Sequence, residues 1–90
     1  MNIDSTRSDW RSRGFSCDVW TDSPGQRWEE YRHAVDELVM VVEGEIEFEI
    51  NGEIVRPAPG DEVLIPAGVL HSVRNTGKTP SQWLYGYKMD

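Results

Sequence analysis

Residues that cross-link a chain or hold a metal are scarce here: one cysteine, Cys17, and two histidines, His33 and His71, in 90 residues. A single thiol excludes an intrachain disulfide framework, and a four-thiolate site would need further chains, so a reducing, cytoplasmic setting is expected. Basic residues are also few, 9 Lys and Arg against 16 Asp and Glu for a net charge of -7. No basic block is present to hold a phosphate backbone, so nucleic acid is not an expected partner. Long apolar runs are missing, the longest aliphatic stretch being Leu38 to Val42, and Met1 to Trp10 has neither a basic leader nor an apolar core. No signal peptide and no membrane partner are therefore expected.

What is present is enough for one small core. Hydrophobic residues make up 38% of the chain and include four Trp, three Tyr and two Phe, large side chains that bury area while tolerating a partly wet site. Burial in so short a chain is marginal, and a second copy, giving a homodimer, is the expected source of extra stability. Residues 1–14 are polar around Trp10 and show no sustained period, which predicts a flexible or extended N-terminal arm followed by a single domain over 15–90.

From Phe15 onward the pattern is that of short strands. Phe15, Cys17 and Val19 alternate before an Asp22-Ser23-Pro24-Gly25 turn signal. Trp28 to Ala34 and Glu37 to Val42 follow, with Asp36 as the break. Glu45, Glu47 and Glu49 alternate with Ile46, Phe48 and Ile50, the clearest strand pattern in the chain, and read as a solvated face backed by a buried one. Asn51-Gly52 is a preferred two-residue hairpin loop and returns Glu53 to Arg56 antiparallel. Val63 to Ile65, Val69 to Val73 and Ser81 to Tyr87 complete the set, with no helix of ordinary length left over. The expected fold class is all-β, an antiparallel jelly-roll β-barrel whose closure limits exposed edges.

Both histidines fall inside these expected strands. Alternation places Glu29, Tyr31 and His33 on one face, and a tight turn at Asp36 would bring Glu37, Val39 and Val41 to the same interior as His71 and Val73. Two imidazoles and a carboxylate form a common ligand set for zinc or non-haem iron, leaving positions for water or substrate. The same residues are equally consistent with two satisfied, partly buried histidines.

Two motifs carry a resemblance. Gly25, five residues, Tyr31, one residue, His33, three residues, Glu37 is similar to the first motif of the cupin superfamily, with Tyr31 where the family has its first histidine. Gly60, five residues, Pro66, one residue, Gly68, two residues, His71, three residues, Asn75 matches the second motif throughout. The resemblance runs over about residues 24–88 and implies a cupin-like β-barrel with His33, Glu37 and His71 as metal ligands on its inner surface. It implies one divalent transition metal, Fe, Mn, Zn, Ni or Cu. Tyr31 is either a substitute ligand or, at lower cost given a phenol pKa near 10, a pocket-lining group; Glu29 is a weaker substitute.

Other side chains have simpler expected roles. Trp83, Tyr85 and Tyr87 share parity and line a pocket or pack the barrel or a dimer seam. Cys17 is expected to be a small buried side chain rather than a nucleophile, and Ser72, adjacent to His71, points to the opposite face from it. Arg56 and Arg74 are expected in surface ion pairs in preference to contacts with a substrate carboxylate. The function expected is that of a divalent-metal-binding small cupin, an oxygenase, isomerase or lyase acting on a small polar organic molecule. The alternative is a non-enzymatic metabolite-binding or sensory barrel in which the metal is structural or absent.

Overall fold

The computed structural model describes residues 2–89. Eight strands follow one helix: α1 (Ile3–Ser12), β1 (Asp18–Asp22), β2 (Arg27–Tyr31), β3 (Glu37–Glu43), β4 (Ile46–Ile50), β5 (Glu53–Val55), β6 (Glu62–Ile65), β7 (His71–Asn75) and β8 (Ser81–Tyr87). They form two four-stranded antiparallel sheets, ordered β1-β8-β3-β6 and β2-β7-β4-β5. The expected all-β jelly roll is the architecture found.

Alternation explains the space between the sheets. Val39 and Val41 of β3, Ile46 and Phe48 of β4, Ile65, Val73 and Trp83 turn inward and form one buried cluster. On the far side of the second sheet Arg74 binds Glu29, Glu47 and Glu49 at 2.9 to 3.0 Å, and Arg56 donates to Glu47 at 2.7 Å. Glu47 and Glu49 of the glutamate row, with Glu29, thus form an ion-pair network on an outer face, and both arginines are occupied there. At the β4–β5 hairpin, Asn51 and Gly52 both have positive φ, 51° and 84°, as a tight two-residue turn matching strand twist requires.

The expected flexible arm is corrected. Residues 3–12 are helical, with the Asn2 side chain accepting from the Ser5 amide at 3.1 Å as an N-cap. Asp4 in the first turn and Arg11 in the last complement the helix dipole. Ile3 and Trp10 are seven residues apart on one helical face, too few apolar positions to read as a period in sequence, but enough to dock the helix. Trp10 is fully buried with Phe15, Cys17, Leu38, Met40 and Leu84, Ile3 packing beside them. Its indole N–H and the Arg13 guanidinium both donate to the Glu62 carboxylate, at 2.8 to 2.9 Å. Cys17 is buried in this second core and desolvation raises its pKa, consistent with a packing role.

The sheet β1-β8-β3-β6 is therefore covered on both faces, which accounts for five consecutive buried residues from Glu37 to Val41. The fit is close at Gly86, where any Cβ would collide with the Ser16 carbonyl and meet the Trp10 ring at 3.0 Å. Truncating Trp10 to alanine is expected to cost about 3–5 kcal/mol in urea unfolding. A loss below ~1 kcal/mol would show that the helix does not contribute a core.

Candidate metal centre

Three elements converge at one end of the inter-sheet space. Glu37 begins β3 facing inward, where it lies opposite Ile65 and Tyr87. His71 begins β7 and pairs with Tyr31 and Ile50. His33 lies not in a strand, as expected, but in the connection between β2 and β3. That connection is fixed by the Pro66-Ala67-Gly68 turn: the Gly68 amide donates to the His33 carbonyl at 2.8 Å and the Ala67 amide to Asp36 Oδ1 at 2.8 Å. The turn residues of one motif thus hold the histidine of the other.

Parity along β2 is also corrected. Glu30 has a φ of 60° and the register shifts between Trp28 and Tyr31, the mark of a bulge. The extra residue returns both Trp28 and Tyr31 to the inner face and puts Glu29 outside. There Arg74 and Arg27 hold the Glu29 carboxyl down at about 2, so Glu29 is not a substitute ligand. The bulge is held by Ser72, whose hydroxyl accepts from the Glu30 amide at 2.9 Å; Ser72 points away from the site, as expected.

The ligating atoms of His33, Glu37 and His71 all lie within 4.8 Å of one another. Glu37 Oε1 stands 3.5 Å from the Nε2 of each histidine. Ligands at ~2.0–2.1 Å around one tetrahedral ion would be roughly 3.4 Å apart, close to this spacing. His71 Nδ1 faces the Val69 carbonyl at 3.2 Å. A carbonyl only accepts, so Nδ1 is the donor in this contact and Nε2 is the nitrogen turned toward Glu37, the arrangement that orients metal-binding histidines.

The electrostatics suit a cation. Glu37 and His71 are each 4% exposed, and Glu37 Oε1 has no hydrogen-bond partner. Desolvation raises the Glu37 pKa to about 7. Burial, and then the proximity of His71, lower that of His33. An orphaned buried carboxylate oxygen beside two imidazoles fits a divalent ion.

The three residues sit at the floor of a pocket of about 240 Å³. Its walls are Trp20, Trp28, Tyr31, Val73, Trp83, Tyr85 and Tyr87. Tyr31 stacks on His33 at 6.4 Å between centroids and 22° between planes, and is 43% exposed, so it lines the mouth. Trp83, Tyr85 and Tyr87 line the opposite wall. Trp20 and Trp28, which sequence reasoning did not assign to the site, complete it. Asn75, the last residue of the second motif, works behind the pocket: its amide donates to the carbonyls of Asp22, Ser23 and Thr79 at 3.0 to 3.3 Å and accepts from Gly77.

A small two-sheet barrel with a His-Glu-His cluster at the floor of its pocket defines the class of protein. The family model described as a cupin domain matches residues 18–87, and the chain belongs to that family. Among solved structures it is similar to a salicylate 1,2-dioxygenase from Pseudaminobacter salicylatoxidans, with 29% identity and a TM-score of 0.77. The match covers 83% of this chain and only 22% of the dioxygenase. It is also similar to the TT1209 protein of Thermus thermophilus, with 27% identity, a TM-score of 0.74, and coverage of 84% and 74% of the two chains. The cupin domain of Schizosaccharomyces pombe Cnp3 shares the fold at 20% identity and a TM-score of 0.77, over 86% and 57% of the chains. No curated protein matches the sequence significantly. No helix among the described residues is long and apolar enough to cross a membrane.

The raised Glu37 pKa has a measurable consequence in metal-free protein. The fold favours the protonated carboxyl, so this group's stability contribution is fully present below about pH 4.5 and is lost as pH rises through about 7. Glu37→Gln removes that penalty. With chelator present, the variant is expected to exceed wild type at pH 8 by on the order of 3 kcal/mol, the gap closing toward pH 4. Equal urea midpoints at both pH values would contradict a desolvated carboxylate.

Proposed function

We propose that the chain is a metal-dependent oxygenase acting on a small organic molecule, with His33, Glu37 and His71 holding one divalent iron. The observation that carries this reading is the buried Glu37 oxygen, unpartnered and equidistant from two Nε2 atoms. Two histidines and one carboxylate leave coordination positions free, the arrangement found in non-haem iron oxygenases. The similarity to a dioxygenase at 29% identity supports the same reaction class.

When bound, the iron would supply dioxygen activation; the chain supplies the rest. Val69 fixes the His71 tautomer, the Pro66-Ala67-Gly68 turn fixes His33, and the first pair of β3 fixes Glu37. The aromatic walls exclude water from the pocket floor and orient the reacting molecule, lowering the entropic part of the barrier. Tyr31, 43% exposed at the mouth, is a pocket group rather than the missing histidine's replacement as ligand. Its phenol would have to ionise far below its ordinary range to bind. Tyr87 is less suited still, since burial and Glu37 push its pKa up to about 12.

Anaerobic reconstitution with ferrous iron followed by elemental analysis tests the proposal. About one ion per chain is expected in wild type and in Tyr31→Phe. His33→Ala, Glu37→Ala and His71→Ala should each lose affinity by more than the ~10–100-fold typical of residues that merely orient ligands. Oxygen-electrode assays on the loaded protein should then show uptake with small organic substrates. Stoichiometric metal without oxygen uptake would favour the non-enzymatic binding barrel with a structural metal, and no metal in any preparation would overturn the oxygenase and leave the metal-free barrel.

A further inference from the structure

Asp22 ends β1 and is 2% exposed. Its Oδ1 accepts from the indole N–H of Trp20 at 2.7 Å and of Trp28 at 2.9 Å, and its Oδ2 accepts from that of Trp83 at 2.9 Å. The three tryptophans come from β1, β2 and β8, and so from both sheets, and all three line the pocket above Glu37. A carboxylate suits this position because it has two accepting oxygens and no donor, whereas an amide would turn its N–H₂ toward an indole N–H. Both oxygens of this buried side chain are satisfied by indole donors alone. Core packing does not account for it at Trp20, which is 42% exposed. What the arrangement does provide is fixed ring orientation. Trp20 and Trp28 meet edge to face at 5.8 Å and 72°, and Trp28 and Tyr31 tilt at 59° with centroids 6.3 Å apart.

The rest of the lining narrows the ligand. Among the described residues no lysine or arginine lines this pocket, and its ionisable groups besides the tyrosines are His33, Glu37 and His71. An oxygen substituent therefore has its place at the floor, while the body of the molecule meets aromatic surface. We propose that Asp22 is a positioning residue that locks three indoles into a wall selecting a flat, unsaturated ring, a phenol or an aromatic acid, over a saturated or polar body. This deepens the proposed function, resting on the same pocket being the ligand site, and narrows the small polar molecule expected from sequence to one with an aromatic body. Aromatic pairs contribute about 0.5–1.5 kcal/mol each beyond area burial, so correctly oriented walls are worth about tenfold in affinity.

The test is an NMR titration with phenol and cyclohexanol, matched in size and hydroxyl, on protein as isolated and after chelation. Wild type is expected to bind phenol about tenfold more tightly than cyclohexanol. In Asp22→Asn this preference should fall to about threefold or less, with metal content unchanged. If Asp22→Asn does not fold, Trp20→Ala, which leaves the Trp28 and Trp83 bonds to Asp22 in place, should give the same loss of preference while still unfolding cooperatively. An undiminished preference in the folded variants would overturn the proposal. A phenol preference that survives chelation in wild type keeps this inference even if the metal reading fails. Stoichiometric metal with no preference sinks this inference alone.

Discussion

A carboxylate that is 4% exposed, with one oxygen 3.5 Å from two imidazole nitrogens and bonded to neither, sets the requirements of this fold. Such a group is tolerated only as a neutral acid or beside a cation. With a divalent ion, the desolvation that raises its pKa becomes what strengthens the attraction, since the same low dielectric acts on both. The surrounding backbone is arranged accordingly. One strand start delivers Glu37, another delivers His71 with its outer nitrogen engaged by Val69, and the Pro66-Ala67-Gly68 turn pins the loop that carries His33. The motif residues outside the His33-Glu37-His71 cluster thus hold those inside it in place.

A second carboxylate plays the complementary part along the same inner face. Where Glu37 gathers imidazoles, Asp22 gathers indoles, and the two divide the pocket into a floor suited to an ion and a wall suited to a ring. Brevity makes this division economical. The sheet carrying Glu37, Trp20 and Trp83 has no thickness to spare, and α1 closes its outer face with one buried tryptophan, so that both faces of β3 contribute to a core.

Much of this was legible from sequence. Clean alternation from Glu45 to Ile50 and the Asn51-Gly52 pair located a hairpin, and the spacing from Gly60 to Asn75 located His71 and the turn before it. The errors have physical causes. Strict alternation along β2 fails because Glu30 takes a positive φ, which two adjacent glutamates do not announce, and the bulge exchanges Glu29 for Trp28 on the inner face. The helix escaped because two apolar residues, Ile3 and Trp10, make no period; the signal for it lay elsewhere, in the unbroken Leu38 to Val42 run, which only a sheet covered on both faces requires. Asp22 was masked by its setting, since Asp-Ser-Pro-Gly reads as a turn and the three indoles meet only in the folded chain.

The central claim is that the histidine pair and Glu37 share one ion. X-ray absorption at the metal edge of protein purified with its native metal tests it most directly. The account predicts two imidazoles and a carboxylate among light oxygen and nitrogen neighbours, and loss of one imidazole contribution in His71→Ala. A sphere containing sulfur, or one unchanged when His71 is removed, would contradict it.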